Sequence, residues 1–325
     1  MGRSFEDDVG ECGVGDKTMK LSIVVPCFNE EQALPFFFEE TEKVIQSMDI
    51  DREYIFVNDG SSDQTLRVLK EFNELYPEIV HYVDFSRNFG KEAALYAGLI
   101  YTTGDFVTVM DADLQDPPEL LPKMYELIVN QDYDCVGTRR ANRSGEPIIR
   151  SFFANQFYKL INKISQTEMV NGARDFRLMT RQMVDAILKL SEYNRFSKGL
   201  FSWVGFKTTY LSYENKERVA GETSWSFWSL FKYSLEGIIN FSNAPLLLSA
   251  WMGVVSFAIS IVMMIFIVVR TIIFGNETSG WTSMVTIMLL IGGIQLLGIG
   301  VLGQYIGKIY LEVKKRPVFV IKEKR

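Results

Sequence analysis

Two long stretches without a charged side chain, residues 244–269 and 281–305, lie near the C-terminus of this sequence. Each is long enough to cross a hydrocarbon core of roughly 30 Å as a helix of about 20 residues. The alternative is a pair of buried helices in a water-soluble domain. It would need neighbours on every side, and no other part of the chain is long enough to provide them. The sequence therefore predicts two transmembrane helices over residues 244–305.

Basic residues are unevenly distributed around these stretches. The connection between them contains Arg270 as its only basic residue, whereas the second stretch leads into Lys308, Lys314, Lys315 and Arg316. Positively charged residues beside membrane-spanning helices favour the cytoplasmic side. We therefore expect a multi-pass protein of the cell membrane with both termini in the cytoplasm, and a basic cytoplasmic tail over residues 306–325.

Composition limits the remaining function classes. A chain of 325 residues that is 47% hydrophobic can bury a full core. Its net charge of -6 argues against a nucleic-acid binder, which would carry a basic surface. The three cysteines have no metal-ligand spacing and do not suggest a disulfide framework, and a single histidine, His81, excludes a histidine-based metal site. Residues 1–18 are polar and acidic, which predicts a disordered extension without a secretory signal.

Residues 20–138 alternate between short apolar runs and longer helix-like stretches. The runs typical of buried strands are 21–25, 54–57, 79–85, 106–110 and 133–137. This alternation predicts a mostly parallel sheet covered by helices on both faces. We therefore expect an α/β catalytic domain over residues 19–223.

Polar clusters follow four of these predicted strands, at residues 26–31, 58–63, 86–88 and 111–116. In an open parallel sheet, ligands bind beyond the carboxyl ends of the strands. Each cluster can also be interpreted as a helix cap or a turn. Their order after successive strands favours one shared crevice.

The last cluster contains Asp111 and Asp113, one residue apart, just beyond an apolar run. Carboxylates in this position suit a divalent metal that in turn holds a diphosphate, because hard cations favour oxygen ligands. The pattern predicts a metal-assisted enzyme working beside a membrane.

Seven motifs, in chain order, resemble those of one enzyme family. They are VVPCFNEE, VNDGSSDQT, FSRNFGKEAAL, DADLQDPPE, TRR, DFRLM and RFSKGLFSWVGF. The series is similar to glycosyltransferase family 2, specifically its membrane-anchored polyprenyl-phosphate glycosyltransferases of the bactoprenol glucosyltransferase type, which are related to dolichol-phosphate mannose synthases. The likeness covers roughly residues 20–315. It implies a GT-A (Rossmann-like) fold, a nucleotide-sugar donor, Mg²⁺ or Mn²⁺, and a lipid phosphate acceptor.

The resemblance also implies residue roles in donor binding. The nucleoside pocket would be lined by Pro26, Asn29 and Glu30, with Asp59 on the base. The metal and the donor diphosphate would be arranged by Asp111 and Asp113, with Gln115 beside them. Lys91 follows Gly90 at the start of a helix, and we assign it to the same donor site, with ordinary capping as the alternative.

A lipid monophosphate acceptor requires cations that hold its oxygens. The candidates are Arg139, Arg140, Arg177, Lys198 and Arg218. A solvated surface charge is the alternative for each. Arg218 lies in a loop where Ser224 stands at a position that is often basic in related enzymes, so Arg218 would supply the missing charge.

Asp175 matches the family position proposed as the catalytic base, and we expect Asp175, Asp113 and Arg177 to form the catalytic group. Beside an anionic acceptor, a carboxylate has two possible roles. It can accept the last phosphate proton, or it can orient Arg177 and the sugar. The sequence leaves both roles open.

Two further segments mix aromatic and basic residues in a way that suits a helix at headgroup level. One is an amphipathic helix over residues 224–243, directly before the first predicted span, and the other covers residues 148–164. Core helices of the soluble domain are the alternative for both.

The function expected from this reasoning is the inverting transfer of one sugar from a UDP-sugar to undecaprenyl phosphate. Glucose and N-acetylglucosamine are both open as the sugar. The product would serve cell-envelope glycosylation through a downstream flippase and a sugar-transferring membrane enzyme, and the resemblance suggests a homotetramer. The alternatives are a processive polysaccharide synthase and a non-catalytic nucleotide-sugar sensor. A processive synthase would usually carry a Gln-x-x-Arg-Trp motif and more membrane helices.

Overall fold

The structure is a computed structural model that describes residues 19–140, 162, 170, 172–213, 239, 242, 244–274 and 280–325. The strands are β1 (Lys20–Cys27), β2 (Asp51–Asn58), β3 (Val80–Phe85), β4 (Phe106–Val109), β5 (Cys135–Arg140), β6 (Ala173–Thr180), β7 (Thr208–Tyr213) and β8 (Ile321–Lys324). The helices are α1 (Leu34–Ile45), α2 (Thr65–Leu75), α3 (Lys91–Tyr101), α4 (Leu121–Gln131), α5 (Arg181–Leu188), α6 (Ser197–Trp203), α7 (Ala244–Phe274) and α8 (Trp281–Lys314). A short 3₁₀ helix, Pro118–Leu120, precedes α4.

All eight strands form one sheet in the order β7-β5-β6-β4-β1-β2-β3-β8. Strands β4, β1, β2 and β3 pair in parallel, whereas β6 and β8 run antiparallel to their neighbours. The predicted mostly parallel α/β sheet is confirmed, and the five predicted strands correspond to β1 to β5. The sequence analysis did not predict β6, β7 or β8.

The central strands are buried on both faces, which explains why they read as continuous apolar runs. Alternate residues of β1 enter different clusters, with Ile23 packing on the α1 and α4 side and Val24 on the α3 and α5 side. Helix α3 lies close to the sheet because a Cβ at Gly98 would stand 2.2 Å from Val24 Cγ1. This close packing holds α3 directly against β1.

Helices α7 and α8 are long and apolar enough to cross a membrane. The candidate spans are Ala244–Phe274 and Leu290–Lys314, with 31 and 25 residues. Large apolar side chains on α7 face outward from the protein, including Trp251 at 66% and Phe257 at 68% exposure. By length and composition alone this is weak evidence for membrane association, and it agrees with the two predicted spans.

Residues 306–325, predicted as a basic cytoplasmic tail, include the end of α8 and the strand β8. Helix α8 continues to Lys314, and the chain then returns to the sheet, where β8 pairs antiparallel with β3. The ring of Phe319 stacks on that of Phe85, with centroids 5.0 Å apart. Lys70 and Glu323 form an ion pair of 2.7 Å. The segment that contains Phe319 and β8 therefore covers β3, which would otherwise be an open edge of the sheet.

Several predictions concern residues that the structure does not describe. The extension at 1–18 and Arg218 lie outside the described residues. The same holds for the helices expected at 148–164 and 224–243, apart from the isolated positions 162, 239 and 242.

Candidate active site

The crevice lies beyond the carboxyl ends of β1 and β4, where the strand order reverses. Strand β1 is flanked by β2 on one side and by β4 on the other, so the chain changes direction across the sheet between β3 and β4. A crevice opens at such a switch point in doubly wound sheets. The polar clusters that the sequence analysis singled out therefore occupy one edge of the sheet.

The loops after β1 and β2 are joined by hydrogen bonds. The backbone N–H of Asn29 donates to Ser61 Oγ at 3.0 Å, and that of Glu30 donates to Thr65 Oγ1 at 2.8 Å. In return, the N–H of Ser62 donates to Asn29 Oδ1 at 2.9 Å. Asn29 has a positive φ of 57°, which asparagine tolerates better than most residues. The predicted donor-binding residues Asn29 and Glu30 thus belong to a rigid rim beside Pro26.

Asp59 connects the loop after β2 to the start of α3. Its Oδ1 accepts the backbone N–H of Phe89 at 2.6 Å, and its Oδ2 accepts that of Gly90 at 2.9 Å. The side chain is 4% exposed, and burial raises its pKa although both hydrogen bonds oppose the change. Asp59 therefore has a structural role in fixing the residues just before Lys91. Its predicted contact with the base stays a prediction.

Gly60 is required by the same junction. Its φ of +67° lies in the left-handed region, and a Cβ there would stand 2.4 Å from the carbonyl carbon of Arg87. Only glycine lets the two loops approach so closely.

The carboxyl end of β4 presents the predicted metal-binding pair. Asp113 is 7% exposed, and its Oδ1 accepts the backbone N–H of Gln115 at 3.2 Å. Leu114 between them has a φ of 55°, so the chain turns sharply here. Asp111 lies three residues before Leu114, and its side chain is 23% exposed.

Lys91 bridges two carboxylates, one just beyond the end of β4 and the other on β6. Its Nζ lies 2.7 Å from Asp111 Oδ1 and 2.7 Å from Asp175 Oδ2. Burial alone would lower the pKa of Lys91, but the two carboxylates raise it well above its ordinary value. Burial would raise the pKa of Asp175, but Lys91, Lys198 and Arg177 hold it well below its usual range. The two carboxylates thus favour the charged form of Lys91, and the nearby cations favour the charged form of Asp175.

Asp175 reaches this position because β6 inserts antiparallel between β4 and β5. Val109 at the end of β4 pairs with Arg177 on β6, which brings Asp175 beyond the end of β4. The two carboxylates of the bridge are thus adjacent in space although they are distant in the chain.

A family model for glycosyl transferase family 2 matches residues 22–188. This range is more than half of the chain. The chain belongs to this family. It is a glycosyltransferase, and its sheet is of the GT-A type.

Two curated relatives match along nearly the whole chain. The putative glycosyltransferase CsbB of Bacillus subtilis (strain 168) is 43% identical over 306 residues, which are 93% of this chain and 91% of the relative. The bactoprenol glucosyl transferase of Shigella phage SfX is 43% identical over 307 residues, which are 94% of this chain and 100% of the relative. Both alignments are long enough to include residues of the apolar helices.

Among solved structures, glucosyl-3-phosphoglycerate synthase from Mycobacterium tuberculosis, crystallised with Mn²⁺, UDP and phosphoglyceric acid, is similar with a TM-score of 0.45. The two chains are 17% identical, and the match covers 68% of this glycosyltransferase and 76% of the synthase. A likeness at this level does not bear on the chemistry of the site.

Arg177 of the glycosyltransferase is a buried residue, 2% exposed. Its Nε donates to the carbonyl of Asp175 at 3.2 Å, and its Nη2 donates to the carbonyl of Arg174 at 2.9 Å. The guanidinium lies over the ring of Phe201, 3.8 Å from the centroid. This geometry suits a residue that orients the backbone of Asp175, and a direct contact of Arg177 with phosphate stays a prediction.

The other predicted acceptor cations occupy different places. Lys198 is on the first turn of α6, which is joined to α3 because Glu92 accepts hydrogen bonds from the backbone N–H and the hydroxyl of Ser197. Lys198 is close enough to lower the pKa of Asp175. Arg139 instead donates to Ser212 on β7 at 2.8 Å. Arg140 ends β5, and its side chain is not among those described.

Sequence reasoning missed Arg174. Its Nε donates to Asp116 Oδ1 at 3.1 Å and its Nη2 donates to Gln115 Oε1 at 3.2 Å. Asp116 is 1% exposed and also accepts a hydrogen bond from the hydroxyl of Tyr213. Arg174 therefore holds the segment that follows Asp113. Its place one residue before Asp175 was the only sequence signal.

The oxygen donors that follow β4 could hold a divalent cation together with a substrate phosphate. Asp111 and Asp113 supply carboxylates and Gln115 supplies an amide oxygen, but in the described parts of the chain no group of three or more His, Cys, Asp or Glu converges on one point. Mg²⁺ at phosphoryl sites is typically held by one or two carboxylates, and substrate phosphates and water complete its shell. The donor set therefore suits a metal that arrives with a diphosphate, and does not suit a closed protein cage.

Proposed function

We propose that this glycosyltransferase moves a single sugar from a UDP-sugar to undecaprenyl phosphate, with inversion, at the cytoplasmic face of the cell membrane. One observation carries the proposal. Asp111, just beyond the end of β4, and Asp175 on β6 converge on the single ammonium of Lys91. In this arrangement the edge proposed to bind the donor diphosphate and the edge proposed to bind the acceptor would lie side by side. Two relatives support it further by their names, since both the Shigella phage SfX protein and an Escherichia coli protein are bactoprenol glucosyl transferases or homologues of one.

The donor would lie on the β1 and β4 side of the crevice. Pro26, Asn29 and Glu30 form the rim that would hold the nucleoside, with Asp59 behind them. Asp111 and Asp113 would hold Mg²⁺ or Mn²⁺, with Gln115 nearby. The metal would neutralise the charge that grows on the departing diphosphate. Lys91 adds a second fixed cation beside Asp111, placed to meet the same charge.

The acceptor is already a nucleophile, because a phosphate monoester carries between one and two negative charges near neutral pH. Lys91, Lys198 and Arg177 hold the pKa of Asp175 well below its usual range. A carboxylate with a low pKa is a weak proton acceptor. The geometry therefore favours an orienting role for Asp175, in which it holds Lys91 and Lys198 where the acceptor phosphate and the sugar meet.

Membrane placement follows from α7 and α8. We infer that both helices span the bilayer and that both termini are cytoplasmic, since Lys308, Lys314, Lys315 and Arg316 follow the second uncharged stretch. Residues 224–243 would form an interfacial helix before the first span. Arg139, Arg140 and Arg218 would supply further charge for the acceptor phosphate.

The transferred sugar is proposed to be glucose or N-acetylglucosamine. The names of the relatives favour glucose, whereas a hydroxyl and an acetamido group are distinguished by only a few contacts in a pocket. We further propose that the protein forms a homotetramer. We also propose that a flippase and a membrane sugar transferase use the lipid-linked product.

The test is a reconstitution of the purified full-length protein with undecaprenyl phosphate, Mg²⁺ or Mn²⁺, and separate UDP-sugars. We expect one sugar per lipid, detected by mass spectrometry, and loss of product on chelation of the metal. A processive synthase would instead add a series of sugars, and a sensor would bind UDP-sugar without forming product. The variant Arg67→Ala, at an exposed position of α2, serves as the control and should keep the parent rate. Product formed at the parent rate by a folded Asp111→Ala, Asp113→Ala double variant contradicts the proposal.

A further inference from the structure

A second cavity, of about 250 Å³, lies between the catalytic domain and the C-terminal end of α8. It is lined by the loop after β3, the start of α3, the residues before α6, one residue of α8, and Val318 between α8 and β8. The polar and aromatic residues that matter are Arg87, Phe89, Glu92, Asn194, Arg195 and Lys308. None of the carboxylates or cations of the Lys91 bridge lines this cavity, so it is separate from the crevice described above.

The cavity has an excess of positive charge. Of the described residues that line it, Arg87, Arg195 and Lys308 are cationic, and Glu92 is the one acidic residue. The carboxylate of Glu92 is already engaged, because it accepts hydrogen bonds from the backbone N–H of Ser197, at 2.9 Å, and from the Ser197 hydroxyl. The remaining charge favours an anionic ligand.

Arg195 provides independent evidence for such a ligand. It is 8% exposed, its Nη1 donates to the carbonyl of Leu190, and its guanidinium lies 4.0 Å from the ring centroid of Tyr96. Its Nε is buried and has no hydrogen-bond partner among the residues that the structure describes. A buried donor without a partner is costly, and more so on a charged group. An anion in the cavity would compensate the buried charge.

The wall of the cavity is attached directly to α8. The carboxylate of Glu312 accepts the backbone N–H of Tyr193 at 3.0 Å and that of Asn194 at 3.2 Å. Lys308 Nζ donates to Asn194 Oδ1 at 3.4 Å. Lys308 is three residues beyond Tyr305, where the uncharged stretch ends. In a membrane-spanning α8 the cavity would therefore lie at the depth of the lipid headgroups, where basic pockets beside membrane helices bind anionic lipids.

We propose that this cavity binds the phosphate headgroup of an anionic membrane phospholipid, at a site separate from that of the acceptor lipid. The proposal rests on the membrane placement given under the proposed function. The bound headgroup would connect α8 to the loop that contains Arg87 and Phe89. Since Asp59 fixes that same loop just before Lys91, the headgroup would also stabilise the start of α3.

The test measures lipid retention by the full-length protein in neutral detergent, using native mass spectrometry with no donor sugar present. Phosphatidylglycerol is added at increasing concentration, and phosphatidylcholine is the zwitterionic comparison. We expect phosphatidylglycerol to be retained preferentially. The variants Arg195→Gln and Lys308→Gln should each weaken its retention by about fivefold, in line with one lost cation near a membrane surface. The control is Arg316→Gln, which removes an exposed basic residue outside the cavity and should change nothing.

Lys308→Gln carries the test if the buried Arg195 variant fails to fold. Equal retention of the two phospholipids by the parent protein would overturn the proposal, as would parent-like retention of phosphatidylglycerol by a folded Lys308→Gln variant. Undecaprenyl phosphate and inorganic phosphate are tested in separate arms. If these variants weaken retention of undecaprenyl phosphate alone, the cavity binds the acceptor lipid and the proposal is wrong. If inorganic phosphate displaces phosphatidylglycerol at equal concentration, the cavity binds a soluble anion and the proposal is also wrong. Because no sugar transfer is measured, failure of the proposed reaction leaves this result unaffected.

Discussion

The ammonium of Lys91, at the start of α3, lies 2.7 Å from Oδ2 of Asp175 on β6, and the same ammonium contacts Asp111 at the end of β4. Two carboxylates this close would repel each other without a cation between them. The Lys91 bridge offsets this repulsion. It also makes the start of α3 part of the site, which is consistent with the two hydrogen bonds from Asp59 that hold the preceding residues.

Replacing Lys91 with methionine should reduce the turnover of sugar transfer by about 100-fold, the scale of losing one fixed stabilising group for developing negative charge. Without the ammonium, the pKa of Asp175 should also rise toward its ordinary range. Lys91→Arg keeps the charge and should retain more activity than Lys91→Met. Turnover measured on lipid product, with thermal unfolding as the check on folding, tests this. Equal activity of Lys91→Met and the parent would contradict it.

The acidic limb of the pH–rate profile should come from the acceptor and not from Asp175. The pKa of Asp175 is lowered, so this carboxylate keeps its charge through the pH range in which an ordinary aspartate becomes protonated. It loses that charge only at still lower pH. The second ionisation of a phosphate monoester, by contrast, falls at about pH 6. Asp175→Asn should therefore turn over more slowly and keep an acidic limb near the same pH. Disappearance of the limb in that variant would assign it to Asp175 acting as a base.

Arg174→Met should destabilise the fold and disturb the metal-binding segment together. Asp116 is 1% exposed, and among the described residues loss of Arg174 leaves its buried carboxylate with the hydroxyl of Tyr213 as the one remaining hydrogen-bond partner. Removing one partner of a buried pair costs about 3–5 kcal/mol, and we expect the lower end because Arg174 is 22% exposed. The control Arg67→Met breaks an exposed pair with Glu71 and should cost less than about 1 kcal/mol. Denaturant unfolding measures both, and equal costs would contradict this prediction.

Phe319→Ala should loosen the attachment of the C-terminal segment to the sheet. Its ring stacks on Phe85 and also packs against Tyr96 with centroids 6.3 Å apart. Because Phe319 is only partly buried, we expect a loss of about 1–3 kcal/mol, below the range for a fully buried phenylalanine. Val320→Ala, at a position that is 46% exposed, is the matched control and should be nearly neutral. Hydrogen exchange of β3 amides gives a local readout, and unchanged protection in Phe319→Ala would count against the attachment.

The strands and the polar edge of the sheet were predictable because their signals are local. Strands β1 to β4 are buried on both faces and stand out as apolar runs, and the residues that follow each run must meet at one edge in a parallel sheet. Asp111 and Asp113 could therefore be assigned to a crevice, and the two uncharged stretches could be assigned to long helices, before any contact was known.

Tertiary structure alone decided which of these residues meet. The antiparallel insertion of β6 between β4 and β5 brings Asp175 to Asp111, and nothing in the pattern around Asp175 specifies that pairing. The same insertion buries Arg177, whose guanidinium lies against the ring of Phe201. Its charge alone had suggested an exposed side chain in contact with phosphate. Likewise, β8 completes the sheet only because β3 leaves an edge open. The spacing of apolar residues indicates which faces of each segment are buried. The pairing of strands that are distant in the chain depends instead on how the whole sheet is assembled.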